Sequence, residues 1–173
     1  MKKPWVRVPD QSTWQLRGGA VSGSAEGVPI PAGSDTPLGV ITRGANGYVT
    51  IAHSDEVALV KNGQLLALTG SGTQHAPCWL ALLGPYLYSS NSPSHSISRY
   101  VVTGAQVILD APMEATTAGA PTDIAASGHV LAVIDGGAQT HLTQFSVDEG
   151  GELHQRAVSI VTKGANGVAV IER

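Results

Sequence analysis

The sequence predicts an all-β fold built from a repeated unit of four short antiparallel strands. Two observations lead to this prediction. The first is that 21 glycines and 10 prolines are spread along 173 residues, with Val, Ile and Leu in short clusters, which is typical of many short strands. The second is that four similar segments have their second positions at residues 37, 77, 121 and 165. These positions lie 40, 44 and 44 residues apart, which is the period of a β-propeller blade.

Each repeat is predicted to contain four strands. In the second repeat they are expected at residues 76–81, 86–90, 96–102 and 106–109. The third strands alternate apolar and polar residues, which predicts that one face packs on the neighbouring blade. The first strands are smaller and more continuously apolar, which suits the crowded axis of a propeller.

We expect a single domain over residues 1–173. Complete blades are predicted at about 36–70, 76–112 and 120–160, with partial blades at 12–31 and 165–173. In the first partial blade a third strand is expected at 13–16 and a fourth at 28–30. The sequence is therefore expected to begin and end inside a blade.

Composition excludes several classes of partner. Charged residues make up 13% of the chain and the formal net charge is -3, so there is no basic surface for nucleic acid. The N-terminal MKKPWVRVPD lacks the apolar run of a signal peptide, and no stretch approaches the roughly 20 apolar residues of a membrane span. We therefore expect a soluble chain that contacts no membrane, with the cytoplasm as the default location.

The second repeat contains the motifs APCWLA at 76–81, YLYSSN at 86–91 and SISRY at 96–100. Together they resemble a blade of the lactonase-like seven-bladed β-propeller family, which is related to 6-phosphogluconolactonase. APTDIA at 120–125 is similar to the opening of the next blade, and GANGVA at 164–169 to the segment that ends many members. The resemblance covers nearly all of residues 12–173 and identifies them with the three to four C-terminal blades.

The resemblance implies lactone hydrolysis as the activity to test. However, the chain departs from the usual family blade at 43–47 and 83–85, where the Pro-Asp-Gly between first and second strands is missing. The hydrolytic members draw their basic and acidic groups from several blades, including blades outside this sequence. No catalytic residue is therefore carried over, and a piece of such a hydrolase is one interpretation of the chain.

Candidate ligand-binding residues come from the loops before the first strands and after the second strands, which lie at one face of a propeller. They are His53, Asn91 and Asp135 at second-strand ends, and His75, Asp123 and Asn166 beside first strands. A ring of His, Asn and Asp can hold a divalent metal, or polarise a lactone carbonyl and activate water. The sequence requires no cofactor. A divalent metal stays an open alternative.

The simpler interpretation of Asn91 and Asp135 is that they bond the backbone of the following turn. His141 and His154 are predicted to lie on outer strands, at the surface and away from the axis. The single cysteine, Cys78, is either a nucleophile or a packing residue of a small-residue strand, and packing is favoured. Tyr100 is predicted to belong to the core between blades, as is Trp79.

Two functional classes follow. The favoured one is a non-catalytic propeller module that binds a small ligand or a protein at the face of the disc. The alternative is a lactone hydrolase. In either case the open blade faces need a partner. That partner is either the remaining blades or a second copy related by a two-fold axis, which would give a ring of about eight blades.

Overall fold

The structure, a computed structural model, describes the backbone of residues 5–6, 12–17 and 20–171, and the side chains of residues 27–171. Three four-stranded antiparallel sheets make up most of it, each formed by four consecutive strands. The predicted all-β class with three complete blades is confirmed. Within the described residues the one helical element is a 3-10 turn of three residues, Ala52–Ser54.

The N-terminal strands are β1 (Trp5–Val6), β2 (Ser12–Arg17), β3 (Ala20–Gly27) and β4 (Ile30–Pro31). Blade 1 contains β5 (Pro37–Arg43), β6 (Asn46–Ile51), β7 (Glu56–Lys61) and β8 (Gln64–Gly70). Blade 2 contains β9 (Pro77–Leu83), β10 (Tyr86–Asn91), β11 (Ser96–Val102) and β12 (Val107–Thr116). Blade 3 contains β13 (Ala120–Ser127), β14 (Val130–Gly136), β15 (Thr140–Val147) and β16 (Leu153–Val161). In each blade the strands pair in chain order, and the first strands of neighbouring blades contact each other.

The two ends of the chain differ from the predicted partial blades. The strand expected at 13–16 exists as β2, but its partner is β3 at Ala20–Gly27, and not the segment 28–30. That prediction was wrong because β3 is rich in small residues and shows no apolar alternation. Residues 165–171 form no strand, since an inner strand needs a second strand for its hydrogen bonds. Residues 172–173 lie outside the described residues, and the single-domain boundary stays a prediction.

The core lies between blades. Alternate residues of each strand point to opposite faces, so every blade presents one apolar face to each neighbour. The cluster between blades 1 and 2 joins Tyr48 and Leu59 to Leu87 and Tyr100. Tyr100 is fully buried there, as predicted. Packing of this kind contributes roughly 1.5–3 kcal/mol for each large apolar side chain that is removed from water.

A second cluster lies between blades 2 and 3. It joins Tyr88 and Ile97 of blade 2 to Leu131, Val133 and Phe145 of blade 3. Partly buried residues, including the predicted core residue Trp79, pack around it. The two clusters together hold three blades in a row.

Close backbone approach near the axis depends on a glycine. A side chain at Gly39 would meet the carbonyl of Cys78 on the neighbouring inner strand. Thr50 Oγ1 accepts a hydrogen bond from the Gly39 N–H at 2.8 Å and donates one to the Cys78 carbonyl at 2.8 Å. Cys78 is half-buried, with Sγ 3.1 Å from the Ala76 carbonyl oxygen. It therefore belongs to the packing of the inner strand.

Two buried tyrosines differ in how their hydroxyls are satisfied. Tyr88 donates a hydrogen bond of 2.7 Å across the blades to the Gly151 carbonyl. Burial raises the pKa of Tyr88 far above its ordinary value. Tyr100 is equally buried. Burial raises its pKa to about 12, against a smaller lowering by the nearby hydroxyls of Ser89 and Ser98, but neither hydroxyl meets it in hydrogen-bonding geometry. The two residues are therefore a matched pair for measuring the bond between blades 2 and 3.

We expect Tyr88→Phe to lower the free energy of unfolding by about 1–3 kcal/mol, because the Gly151 carbonyl loses its donor. Tyr100→Phe removes a hydroxyl that has no well-formed hydrogen bond, and we expect a change within about 0.5 kcal/mol in either direction. Urea titrations of both variants measure the difference. Equal losses in the two variants would contradict the assigned role of the Tyr88 hydroxyl.

Candidate functional site

One face of the three blades, here called the upper face, is formed by the loops that enter first strands and those that join second to third strands. These loops are residues 32–36, 52–55, 71–76, 92–95, 117–119 and 137–139. Hydrogen bonds fasten the two kinds of loop together in a repeated way. The N–H of Asp35 donates to Ser54 Oγ at 3.0 Å, and the N–H of His75 donates to Ser94 Oγ at 2.8 Å.

Two exposed histidines lie on the upper face beside carboxylates. His53 Nδ1 is 2.7 Å from Thr36 Oγ1 and 3.2 Å from Asp35 Oδ1. His75 Nδ1 is 2.8 Å from Asp55 Oδ2. Both histidine side chains are more than two-thirds exposed, so each pair contributes little to stability. Because Nδ1 is engaged, Nε2 is the nitrogen that each ring offers to a ligand.

The pKa of Asp55 lies below its ordinary value. Burial alone would raise it, but the backbone N–H of Ala76 and the ring of His75 both donate to the carboxylate and outweigh burial. The Ala76 N–H lies 2.7 Å from Asp55 Oδ1. Asp55 therefore stays ionised and orients His75, a role that sequence reasoning missed.

A third carboxylate–histidine pair is buried at the upper end of blade 3. Asp135 and His141 are cross-strand partners on β14 and β15, with Asp135 Oδ1 3.0 Å from His141 Nδ1. The Asp135 side chain is 0% exposed and the His141 side chain 19%. Oδ2 of Asp135 is also buried and has no hydrogen-bond partner. Among the side chains described, this is the one buried carboxylate oxygen without a hydrogen-bond partner.

The expected place of His141 was wrong. It pairs with Asp135 on the upper face, whereas it was predicted to lie away from the candidate residues. The length of the hairpin loop is the signal that could have identified this partner. A loop of three residues, 137–139, joins the two strands and sets position 135 opposite position 141. His154 does lie away from the upper face, beside the turn between β15 and β16.

The other predicted residues have local partners. Asn91 is fully buried, donates to Ser96 Oγ at 3.1 Å and Ser98 Oγ at 2.8 Å, and accepts from Ser89 Oγ at 3.1 Å. Asp123 accepts from the N–H of Ile124 and, at 2.7 Å, from the N–H of Val168. Asn166 is exposed and lies outside any strand. For Asn91 and Asp123 the local hydrogen bonds account for the side chain.

The repeat register differs from the sequence alignment at one position. Ile51, Asn91 and Asp135 pair with Pro37, Pro77 and Pro121 and are thus structurally equivalent. His53, which was aligned with Asn91 and Asp135, lies two residues farther on. A 3-10 turn after β6 carries it beyond the strand end, and its ring is exposed as a result.

The candidate residues do not form a compact metal cluster. Among the described residues, the group whose ligand atoms lie close enough to share an ion is Asp148, Glu152 and His154, all exposed. It lies on the opposite face, and the His154 ring lowers the pKa of Asp148 there. A cleft of about 300 Å³ on that same face is lined by the turns of blade 1 at 44–47 and 62–63 and contains none of the candidates.

Comparison with solved structures identifies the architecture. A candidate 6-phosphogluconolactonase from Bacteroides uniformis matches 88% of this chain and 52% of its own, with TM-score 0.73 and 16% identity. The fold is that of β-propeller blades. The nidogen/laminin complex contains a chain with TM-score 0.62 and 14% identity, covering 87% of this chain and 57% of that one. A protein of unknown function from Desulfotomaculum acetoxidans gives TM-score 0.61 and 15% identity, covering 89% and 54%.

The chain thus spans about half the length of the propeller proteins it matches. The resemblance to a lactonase-like propeller is confirmed at the level of fold. No family model and no curated protein matches the sequence. In the described part of the chain, no helix is long and apolar enough to cross a membrane.

We expect His75→Ala to raise the pKa of Asp55 toward its ordinary value, because one of the two donors that lower it is lost. In the wild type the pKa of folded Asp55 lies below that of the unfolded chain. Its contribution to stability is therefore present above the unfolded pKa and is lost as pH falls through the folded pKa. A carboxyl carbon NMR titration measures the shift.

His53→Ala is the matched control, because His53 contacts Asp35 and not Asp55. An unchanged Asp55 pKa in His75→Ala, or an equal shift in both variants, would contradict this account.

Proposed function

We propose that this propeller segment binds a small polar ligand at its upper face, where exposed histidine rings present Nε2 to solvent. The observation that supports the proposal is that three carboxylate–histidine pairs lie there, one beside blade 1, one between blades 1 and 2, and one in blade 3. Asp35–His53, Asp55–His75 and Asp135–His141 each hold a ring by Nδ1. Ligand sites combine a few convergent polar groups of this kind with a rigid scaffold.

The chemistry of these groups favours a hydroxylated acid as the ligand. A neutral imidazole Nε2 accepts a hydrogen bond from a hydroxyl, and a protonated ring donates to a carboxylate. Lactone hydrolysis is the second candidate function. It is favoured by the buried Asp135–His141 pair and by the structural similarity to a candidate 6-phosphogluconolactonase.

Gluconate is a suitable probe, and we expect it to shift the ring resonances of His53 and His75 in an NMR titration. His75→Ala should weaken binding by about tenfold, which corresponds to the loss of roughly one charge-assisted hydrogen bond. His154→Ala is the matched control, since that histidine is also exposed and paired with a carboxylate but lies on the opposite face. Shifts confined to His154, or no shift at millimolar gluconate, would exclude an upper-face site for this ligand.

We also propose that further blades or a second copy cover the open sides of blades 1 and 3. Among the described residues no four-stranded sheet lies beyond either blade. Val40 on β5 is 65% exposed, and it pairs with Val49 on the side away from blade 2. Exposed apolar positions on a blade face are typical of a surface that is covered in the assembly.

We expect the 173-residue polypeptide to self-associate, with a mass by light scattering of at least twice 17.7 kDa. Val40→Glu should shift the population toward monomer by placing a charge on the covered face. Ile108→Glu is the control, since Ile108 lies on the outer edge strand of blade 2 and is also exposed. A monodisperse monomer that unfolds cooperatively would contradict self-association.

A further inference from the structure

The open side of blade 1 has a glycine where blades 2 and 3 have a leucine. In all three blades the second and third strands pair without a register shift. Positions counted back four residues from the equivalent upper ends of the second strands are therefore equivalent too, and they carry Gly47, Leu87 and Leu131. Both leucines are fully buried in the interface with the preceding blade. Gly47 provides no side chain at this position of blade 1.

The cleft of about 300 Å³ in blade 1 lies at this glycine. Thr42 and Val60 are the cross-strand partners of Gly47, and all three also line the cleft. They point away from blade 2, as does Val49, which lies two residues farther along β6. The cleft therefore occupies the end of the open side that meets the opposite face.

In both interfaces between blades, the preceding blade supplies a tyrosine beside the equivalent leucine. Tyr48 of blade 1 shares an apolar cluster with Leu87, and Tyr88 of blade 2 shares the other cluster with Leu131. The two tyrosines occupy the same position of their strands, one residue after Gly47 and Leu87 respectively. The residue that packs at this end of an interface is thus an aromatic side chain on the second strand of the preceding blade.

The interface between blades 2 and 3 shows how such rings meet a turn glycine. Gly151 lies in the turn between β15 and β16, where a Cβ would lie 2.7 Å from the Tyr86 ring, and its carbonyl accepts the Tyr88 hydroxyl. Gly63 lies in the corresponding turn of blade 1, and the two glycines have similar φ angles of 80° and 73°. No atom of the described residues lies within 4 Å of a Cβ built at Gly63. The turn that lines the cleft therefore lacks the ring that covers its equivalent.

Blade 3 of a second copy does not provide this ring. The positions of its second strand that correspond to Tyr86 and Tyr88 carry Val130 and Ala132. An alanine opposite Gly47 leaves a void where the other two interfaces are filled, and a void loses the packing contacts that stabilise an interface. The ring that fits the cleft therefore belongs to a blade of different sequence.

We propose that the cleft at Gly47 receives a tyrosine side chain from the second strand of a further blade that covers blade 1. This inference rests on the proposed covering of blade 1 and names the partner as a blade with tyrosine at the position of Tyr88. The ring takes the place of the absent leucine side chain and packs on Val60. The amides of Asn46 and Asn62, which line the cleft, provide hydrogen-bond partners for its hydroxyl.

N-acetyl-L-tyrosinamide is a suitable probe, because it carries the tyrosine ring and hydroxyl without a blade. In an NMR titration of the 173-residue polypeptide it should shift the amide resonances of Gly44, Gly47 and Gly63. We expect a dissociation constant on the order of 1 mM, which is ordinary for a ligand of this size. N-acetyl-L-leucinamide should bind at least about tenfold more weakly, since it has neither the ring nor the hydroxyl.

This comparison uses the wild type and does not depend on the folding of a variant. Equal affinity for the two probes would overturn the assignment to an aromatic ring. The absence of saturable shifts at the three cleft glycines, at a probe concentration of about 10 mM, would overturn the cleft as a receptor.

Gly47→Leu places in blade 1 the residue that blades 2 and 3 already have. We expect it to fold, because the φ angle of Gly47 lies outside the left-handed region and the nearest atom to an added Cβ is the Val60 carbonyl oxygen at 3.8 Å. The leucine fills the cleft, so the affinity for N-acetyl-L-tyrosinamide should fall by at least about tenfold.

Gly104→Leu is the matched control, because Gly104 also lies outside the left-handed region and has open space around it. It lies in the loop between β11 and β12, outside the cleft, and the variant should bind the probe as the wild type does. Wild-type affinity in a folded Gly47→Leu, or an equal loss in both variants, would contradict the proposal.

Failure of this inference is distinguishable from failure of the proposed self-association, which light scattering measures without the probe. Probe binding by a polypeptide that stays monomeric would remove only the self-association. A dimer that does not bind the probe would remove only the tyrosine receptor. Shifts of the cleft glycines that appear when the protein concentration alone is raised, and that Gly47→Leu abolishes, would show that a second copy fills the cleft and would overturn the assignment to a different blade.

Discussion

The structure depends on the burial of one blade's apolar face against the next. Side chains alternate between the two sides of a strand, so each blade has two faces. The hydrogen bonds within its own sheet bury neither face. On β10, Leu87 therefore packs toward blade 1 while Tyr88 packs toward blade 3. Arg99 strengthens the outer side of the interface between blades 2 and 3. It pairs with Asp110 and Glu114, and Glu114 accepts a hydrogen bond from the Leu153 N–H of blade 3 at 2.7 Å.

This constraint also decides which polar residues are buried. On the second strand of each blade, the row of buried residues ends at the upper face in Ile51, Asn91 or Asp135, each fully buried. Each blade treats that enclosed position differently. Blade 1 fills it with an aliphatic side chain, blade 2 with an amide and three serine hydroxyls, and blade 3 with a carboxylate and an imidazole. The candidate chemistry is thus a variation at one register position of a repeated scaffold.

The sequence predicted the features that follow from the repeat spacing and from the alternation of apolar and polar residues along the strands. The 40 and 44 residue spacing located the blades, and the alternation of β11 and β15 located the packed faces. It did not predict β3, because Ala20–Gly27 is too rich in small residues to show a pattern. It placed Asp135 on the upper face but missed its partner, since His141 is brought opposite it only by the three-residue hairpin loop. It aligned His53 with Asn91 because spacing alone does not reveal a 3-10 turn after β6.

In a repeated scaffold, the residues that all repeats share provide the stability. A residue in which one repeat differs from its neighbours is therefore a candidate for function. The inner strands and the two apolar clusters hold the blades whether position 135 is charged or neutral, because neither cluster includes it. A charged pair that added only stability would be a poor choice beside the saturated amide of Asn91, since a buried ion pair rarely exceeds a well-bonded neutral group in net contribution. Asp135 costs more to bury than Asn91 and has fewer hydrogen bonds in return. What it provides instead is a partner for Nδ1 of His141, an imidazole that keeps part of its surface exposed.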